Sequence, residues 1–84
     1  MATGTIRFWA AAKEAAGCAE ERYDAATLAD AIATAADGRD GRFAAVLARC
    51  SYVVDAAPVG ARDHATIALT DGGVVEVLPP FAGG

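Results

Sequence analysis

The sequence predicts a small α+β domain in which one helix crosses one face of a mixed β-sheet. The chain has 84 residues, which is enough for one domain and too few for two. Segments with the alternating pattern of strands occur in both halves of the chain, and the segment with the clearest helix signals lies between them. We therefore expect strands from both ends of the chain to share one sheet.

The first strand is predicted over residues 5–10 (TIRFWA), because the side chains there alternate between two faces. Ile6 and Phe8 share one face, and Arg7 and Trp9 share the other. Two large apolar side chains on one face are typical of a strand that covers a core.

Two short segments follow this strand. Residues 11–17 (AAKEAAG) contain good helix formers but stop early at a glycine, so we expect a single turn or a loop. Residues 18–23 (CAEERY) indicate a second, more polar strand that returns beside the first as a hairpin.

The best-marked helix begins at Thr27, whose hydroxyl can accept from the backbone N–H of Asp30, and the Asp30 carboxylate suits the positive helix end. Gly38 is placed as the stop of this helix. A second, shorter helix is predicted over residues 43–50. The residues at helical spacing are Leu28, Ala31, Ile32, Ala35 and Ala36 in the first helix and Phe43, Val46, Leu47 and Cys50 in the second.

The rest of the chain returns to strands. Residues 52–55 predict a strand, residues 58–64 a loop, and residues 66–69 a further short strand. Residues 71–73 (DGG) are a strong turn signal before the last strand, residues 74–78 (VVEVL). The order predicts a β-grasp: a mixed sheet of four to five strands with the first and last parallel at its centre, one main helix across one face, and a second short helix.

Composition excludes several classes of function. The formal net charge is −4 and the cations do not cluster, so we expect no nucleic acid partner, whereas basic protein surfaces would be attracted. No apolar run approaches the ~20 residues of a membrane span. Cys18, Cys50 and the single histidine, His64, are too few and too scattered for a metal site. Two thiols without a signal peptide favour the reducing cytoplasm, and a disulfide between them stays an open alternative.

The chain ends in VLPPFAGG, and this ending predicts a projecting tail. Pro79 and Pro80 lack N–H donors and have a fixed φ, so they end strand pairing and direct the chain outward. Gly83 and Gly84 have no side chains, so they can pass through a narrow channel and deliver the terminal carboxylate to its end.

The predicted division is therefore a folded domain, residues 1–78, and a flexible tail, residues 79–84. A carboxylate resists nucleophiles until it is activated, and the chain has no G-x-x-x-x-G-K-[ST] loop with which to hold a nucleotide. We expect no cofactor bound directly to this chain; a separate enzyme would use ATP to activate Gly84.

Residues 71–84 (DGGVVEVLPPFAGG) resemble the ending of the ubiquitin-like sulfur carriers of the MoaD/ThiS family, most closely the small subunit of molybdopterin synthase. Residues 6–17 (IRFWAAAKEAAG) are similar to that family's first strand and following turn. The resemblance implies the same β-grasp fold. Gly73 departs from the family's pattern, which usually has an acidic residue there, and Phe81 is bulkier than the usual valine.

The resemblance also implies a function. Gly84 would be adenylated by an E1-like adenylyltransferase and sulfurtransferase and converted to a thiocarboxylate. In the molybdopterin branch, the tail enters the large synthase subunit, which carries the catalytic side chains, and donates sulfur to the cyclic pyranopterin precursor; this chain is then no enzyme alone. Two alternatives stay open: a carrier for thiamine or cysteine biosynthesis, and a ubiquitin-like modifier joined to target lysines through Gly84.

The strand faces predict where a partner docks. If the apolar residues of the first and last strands face the helix, Arg7, Trp9, Glu76 and Leu78 face away from it. Trp9 and Leu78 would then form an apolar patch beside the root of the tail, and exposed apolar patches are typical of protein interfaces. The alternative is that Trp9 packs in a satellite cluster. The predicted partner-binding residues are these four and, in the tail, Pro79, Pro80, Phe81 and Ala82.

Overall fold

The computed structural model describes residues 1–80, in which strands and helices follow one another along the chain. The elements are β1 (Ala2–Phe8), α1 (Ala10–Ala16), β2 (Glu20–Ala25), α2 (Leu28–Ala36), α3 (Gly41–Ala48), β3 (Ser51–Val54), β4 (Ala57–Pro58) and β5 (Val74–Leu78). A short 3₁₀ turn, His64–Thr66, lies between β4 and β5.

The strands form one mixed sheet in the order β2-β1-β5-β3-β4. β1 and β5 are parallel neighbours, with Ile6 opposite Val75 and Phe8 opposite Val77. The other neighbouring strands are antiparallel. The predicted β-grasp fold is confirmed, and β5 lies inside the sheet between β1 and β3.

The core lies between the helices and one face of the sheet. The alternation seen in the sequence is confirmed there, because the inward side chains of β1 and β5 are buried. The ring of Phe8 meets that of Phe43 on α3 edge to face, with centroids 5.8 Å apart. Other core residues are Ile6, Val75 and Val77 from the sheet, and Leu28, Ala31, Ala35 and Leu47 from the helices.

The start of α2 agrees with the sequence. Thr27 Oγ1 accepts a hydrogen bond of 3.2 Å from the backbone N–H of Asp30, as the capping motif predicts. The helix ends at Ala36, and Gly38 follows in the left-handed conformation with φ of 78°. A residue without a β-carbon adopts that conformation at little cost, so the chain can turn there.

The segment predicted as one turn or a loop, residues 11–17, is instead helical, since α1 spans seven residues. Tertiary packing accounts for the difference: Ala12 is fully buried, and α1 packs against α3. Gly17 ends the helix with φ of 80°, and its N–H donates to the carbonyl oxygen of Lys13 at 3.0 Å.

The prediction of a strand over residues 66–69 is wrong. Ile67 and Leu69 do alternate and are buried, but the segment lies against the beginning of α2 and not in the sheet. The N–H of Leu28 donates to the carbonyl of Ile67, and the N–H of Leu69 donates to that of Ala26, both at 2.9 Å. The alternation reflects the burial of Ile67 and Leu69 in the core by a connecting segment that lies outside the sheet.

The bounds of several elements also differ from the prediction. β1 spans residues 2–8 instead of 5–10, and β3 spans residues 51–54 instead of 52–55. β2 spans residues 20–25 instead of 18–23, because its pairing with β1 begins at Glu20. α3 begins at Gly41, before the predicted Phe43, because the carboxylate of Asp40 accepts two backbone N–H groups of the first turn at 3.1 and 3.3 Å.

Candidate functional site

The tail leaves the sheet at the end of an interior strand. Leu78, the last residue of β5, pairs with Ser51 of β3 on one side. On the other side, the N–H of Trp9 donates to the carbonyl oxygen of Val77 at 3.2 Å. The next two residues are prolines, the first half-buried and the second exposed, and neither can donate to a strand ladder. The folded body thus holds the root of the tail from both sides.

Trp9 lies beside this root. β1 ends one residue earlier, and Trp9 continues in an extended conformation (φ −115°, ψ 148°) as the residue that precedes α1. Phe8 lies opposite Val77 and the Trp9 N–H bonds to Val77, so the backbone of Trp9 lies beside the end of β5, where Leu78 follows. Trp9 is 44% exposed, which argues against its burial in a satellite cluster, and Leu78 is half-buried.

The face of the sheet away from the helices brings the other predicted contact residues together. Arg7 of β1 lies next to Glu76 of β5 in the parallel register. The guanidinium of Arg7 does not bond to Glu76; its Nε lies 3.0 Å from Oε2 of Glu20 on β2. Val53 of β3 lies on the other side of Glu76. Arg7 and Glu76 are therefore neighbours, but the ion pair joins Arg7 to β2.

An open groove of about 660 Å³ lies on the β2 side of Trp9. The sequence did not predict this groove, because one of its walls is α1, the segment predicted as a turn or loop. Its lining is mostly apolar, with one thiol among the polar groups. The lining residues include Trp9, Lys13, Gly17, Cys18 and Glu20.

The two cysteines and the histidine have ordinary structural surroundings. Cys50 is partly buried, burial raises the pKa of its thiol, and its Sγ donates to the carbonyl of Val46 at 3.1 Å. The His64 ring packs edge to face on Tyr52, with centroids 5.0 Å apart. Cys18 is partly buried just before β2, and both thiols are free, so the disulfide alternative is not realised.

Part of the predicted site lies outside the described residues. This applies to Phe81 and Ala82, predicted to bind the partner, and to Gly83 and Gly84, predicted to carry the reaction. Within residues 1–80, no three His, Cys, Asp or Glu side chains are grouped so as to hold a metal ion. No helix in the same range is long and apolar enough to cross a membrane.

Comparison with known families settles what kind of chain this is. Residues 6–84 match the model of the ThiS family, from β1 through the last glycine. The chain belongs to the ThiS family. No curated protein matches the chain with significant sequence similarity.

Several solved structures share the fold of this ThiS-family chain. Small archaeal modifier protein 1 from Methanosarcina acetivorans has a TM-score of 0.83 at 18% identity, over 100% of this chain and 98% of that one. A protein from Pyrococcus furiosus assigned as subunit 1 of a molybdopterin converting factor has a TM-score of 0.78 at 21% identity, over 96% of this chain and 100% of that one. A chain in the complex of subunits 1 and 2 of the molybdopterin-converting factor from Helicobacter pylori has a TM-score of 0.68 at 23% identity, over 98% of this chain and 99% of that one. At these identities, the likeness establishes the fold.

The structure also gives a physical reason for Gly73, the position at which this ThiS-family chain lacks the expected acidic residue. Gly73 is buried, and a β-carbon there would lie 2.7 Å from Asp55 Oδ1 and 2.7 Å from the Tyr23 hydroxyl. Tyr23 donates to the carbonyl of Thr70 at 2.6 Å, and burial together with the Asp55 carboxylate raises the pKa of Tyr23. Asp55 Oδ1 accepts from the N–H of Val74 at 2.8 Å. A carboxylate from another segment thus occupies the space that an acidic side chain at position 73 would need.

Proposed function

We propose that this protein is the small, sulfur-carrying subunit of molybdopterin synthase in molybdenum cofactor biosynthesis. The observation that carries the proposal is the ThiS-family match, which extends through the Gly-Gly ending. The fold is shared with molybdopterin-converting factor subunits, one of them in a complex with its second subunit. We place this chemistry in the cytoplasm, where the two free thiols of the chain would stay reduced.

The proposed reaction takes place at the carboxylate of Gly84. An E1-like partner transfers AMP from ATP to this carboxylate, with release of pyrophosphate. Hydrosulfide-level sulfur then attacks the acyl carbon and displaces AMP, so the acyl adenylate becomes a thiocarboxylate. The chain supplies a carboxyl group without side chains around it, and β5 holds the root of the tail in the sheet while partners act on its end.

The proposed docking surface surrounds the root of the tail. It consists of the exposed Trp9, the half-buried Leu78 beside it, and the outward face of β1 and β5. A large synthase subunit that covers this surface would receive the tail in its own active site, where it supplies the catalytic side chains. The residues proposed to contact it are Arg7, Trp9, Glu76, Leu78, Pro79, Pro80, Phe81 and Ala82.

A second candidate function is a ubiquitin-like modifier joined to target lysines through Gly84. The likeness to small archaeal modifier protein 1 over the whole chain favours it. Sulfur carriage for thiamine or cysteine biosynthesis is a third candidate, since the ThiS family match is common to all three.

Intact-mass spectrometry after incubation with an E1-like enzyme, ATP and a sulfur source tests the carrier class. We expect the mass change for replacement of one oxygen by sulfur, located at Gly84. Adducts on lysines of other proteins would support the modifier instead. A chain that forms neither a thiocarboxylate nor an adduct with lysines would contradict both functions.

The pathway is tested by adding a large synthase subunit and the cyclic pyranopterin precursor to the thiocarboxylated chain. We expect a complex between the two subunits and formation of the dithiolene product. If neither forms, the molybdopterin assignment is wrong and the thiamine and cysteine pathways become the candidates.

A further inference from the structure

Charged residues form a row across the open face of the sheet. The strand registers place Glu20 of β2, Arg7 of β1, Glu76 of β5 and Val53 of β3 side by side. The row crosses the sheet just below the root of the tail, because Glu76 is two residues before Leu78. It contains two carboxylates and one guanidinium, so it carries one uncompensated negative charge.

The uncompensated charge lies on Glu76. Arg7 is bound to Glu20 on the side away from β5, with Nε to Oε2 at 3.0 Å. Among residues 1–80, no Arg, Lys or His nitrogen lies within 4 Å of the Glu76 carboxylate, so it has no ion pair in this range.

The outward neighbours of Glu76 are apolar on the three sides away from Arg7. Val74 and Leu78 are the next outward residues on β5, and Val53 is the outward neighbour on β3. All three are half-buried, so each leaves apolar surface uncovered. In the free protein, water reaches Glu76 and its charge costs little.

Docking changes this balance. A partner that covers Val53, Val74 and Leu78 removes the water around Glu76, and a desolvated carboxylate without a counter-ion is strongly unfavourable. Arg7 carries one positive charge, which already pairs with Glu20, so it cannot neutralise both carboxylates. Arg22, the other outward arginine, lies on β2, two strands away from Glu76. The missing positive charge must then come from the partner.

We infer that the partner presents an apolar surface with one Lys or Arg side chain directed at Glu76, and that this charge pair determines which partner the chain accepts. The inference rests on the proposed function for the identity of the partner, the large synthase subunit. The occupant of the open face is thus a protein surface with a single central cation, not an extended basic patch.

Binding of the large synthase subunit from the same organism, measured by calorimetry with wild-type and variant chains, tests the inference. Glu76→Gln keeps the size of the side chain and removes its charge, and we expect Kd to rise about tenfold or more. Asp24→Asn is the matched control: Asp24 is an exposed carboxylate on β2, opposite Thr3 at the far end of the sheet. We expect its Kd to stay within about twofold of wild type.

Salt and charge reversal give two further readouts. Affinity of the wild type should fall as salt is raised, and the slope should flatten in Glu76→Gln but not in Asp24→Asn. Glu76→Lys should abolish binding, and reversal of one Lys or Arg on the partner to Glu should restore it. Thermal melting of each variant close to wild type excludes misfolding as the cause.

The possible outcomes separate the two claims. If the wild-type chain does not bind the large subunit, the proposed function fails and the inference fails with it. If the wild type binds and Glu76→Gln binds equally well with the same salt slope, the inference alone is wrong. Equal losses in Glu76→Gln and Asp24→Asn would also overturn it, because they indicate general attraction to an acidic chain.

Discussion

Gly73 shows how one residue can be fixed by side chains from distant segments. It is buried just before β5, and side chains of Tyr23, Asp55 and Thr70 lie close around its α-carbon. These groups cannot move freely, because Thr70 Oγ1 donates to Asp55 Oδ2 at 2.8 Å and Tyr23 donates to the carbonyl of Thr70. Glycine is required here by space, since the backbone of Gly73 is not in the left-handed region.

Replacement of Gly73 by alanine should therefore destabilise the protein. The added β-carbon would lie 2.7 Å from Asp55 Oδ1 and would force the network apart, at a cost of about 1–3 kcal/mol in the free energy of unfolding. Urea denaturation measures it. The control is Gly41→Ala, where a β-carbon meets nothing within 4 Å and we expect no loss. A Gly73→Ala protein as stable as wild type would show that the network yields.

At the scale of elements, Arg39 connects segments that the sequence leaves separate. Its guanidinium donates to the carbonyl of Ala35 on α2 at 2.5 Å, to that of Ala16 on α1 at 3.3 Å, and to Glu21 Oε1 on β2 at 2.6 Å. It also lies over the ring of Phe43 on α3, 4.8 Å from the centroid. One side chain thus ties three helices to the edge strand.

Arg39→Met should weaken these ties while keeping the apolar stem of the side chain. Loss of hydrogen bonds from a charged group to partly buried acceptors predicts a decrease of about 2 kcal/mol in the free energy of unfolding. Arg42 is an exposed arginine on α3, and Arg42→Met should change the free energy of unfolding by less than about 0.5 kcal/mol. Equal effects in chemical denaturation would show that Arg39 is no more than a surface charge.

The β3–β4 hairpin stores a small amount of backbone strain. Its two turn residues, Asp55 and Ala56, have φ of 49° and 68°, a left-handed pair in which alanine is unfavourable. Ala56→Gly should therefore increase the free energy of unfolding by about 0.5–1 kcal/mol, which a higher midpoint of chemical denaturation would show. Ala57→Gly, in the adjacent extended residue, should lower it, and a change of the same sign in both would contradict the explanation.

At the scale of the whole molecule, packing and proposed chemistry lie in different parts of the chain. Val77 is the last core residue along β5, and the proposed reaction takes place seven positions later at the terminal carboxylate. In the proposed function, the body presents the tail and its docking surface, and the large subunit supplies the catalytic side chains. Stability and sulfur transfer should then respond to different substitutions.

Deletion of Gly83 and Gly84 should abolish thiocarboxylate formation and leave the free energy of unfolding within about 0.5 kcal/mol of wild type. Val77→Ala should instead lower the free energy of unfolding by about 2 kcal/mol or more, because the side chain of Val77 is buried in the core. Thermal denaturation and intact mass, measured on both variants, check the separation. A large loss of stability on deletion would place the tail in the packed body.

Local patterns predicted the parts of the fold that depend on local chemistry. The alternation of β1 and β5 and the Thr27 cap depend only on residues that are close together in the sequence, and both predictions are confirmed. Trp9 beside Leu78 followed from strand faces alone. The ion pair of Arg7 with Glu20, by contrast, depends on the register between β1 and β2, and the predicted bounds of β2 begin two residues too early.

The features that the sequence did not reveal depend on contacts between distant segments. α1 is stabilised by packing on α3, and β4 has only two residues and no periodic signal. The network of Tyr23, Asp55 and Thr70 joins three segments that are far apart in the chain, so no spacing predicts it.

The interior position of β5 has a mechanical consequence. A partner that grips the tail pulls along the axis of a strand bonded on one side to β1 and on the other to β3. Ladder hydrogen bonds run across that axis, so the load is shared as shear by the bonds on both sides of β5, whereas a pull across the strands would open them one by one. Withdrawal from a tight channel would therefore extract the body intact, which suits a carrier that is loaded and unloaded repeatedly.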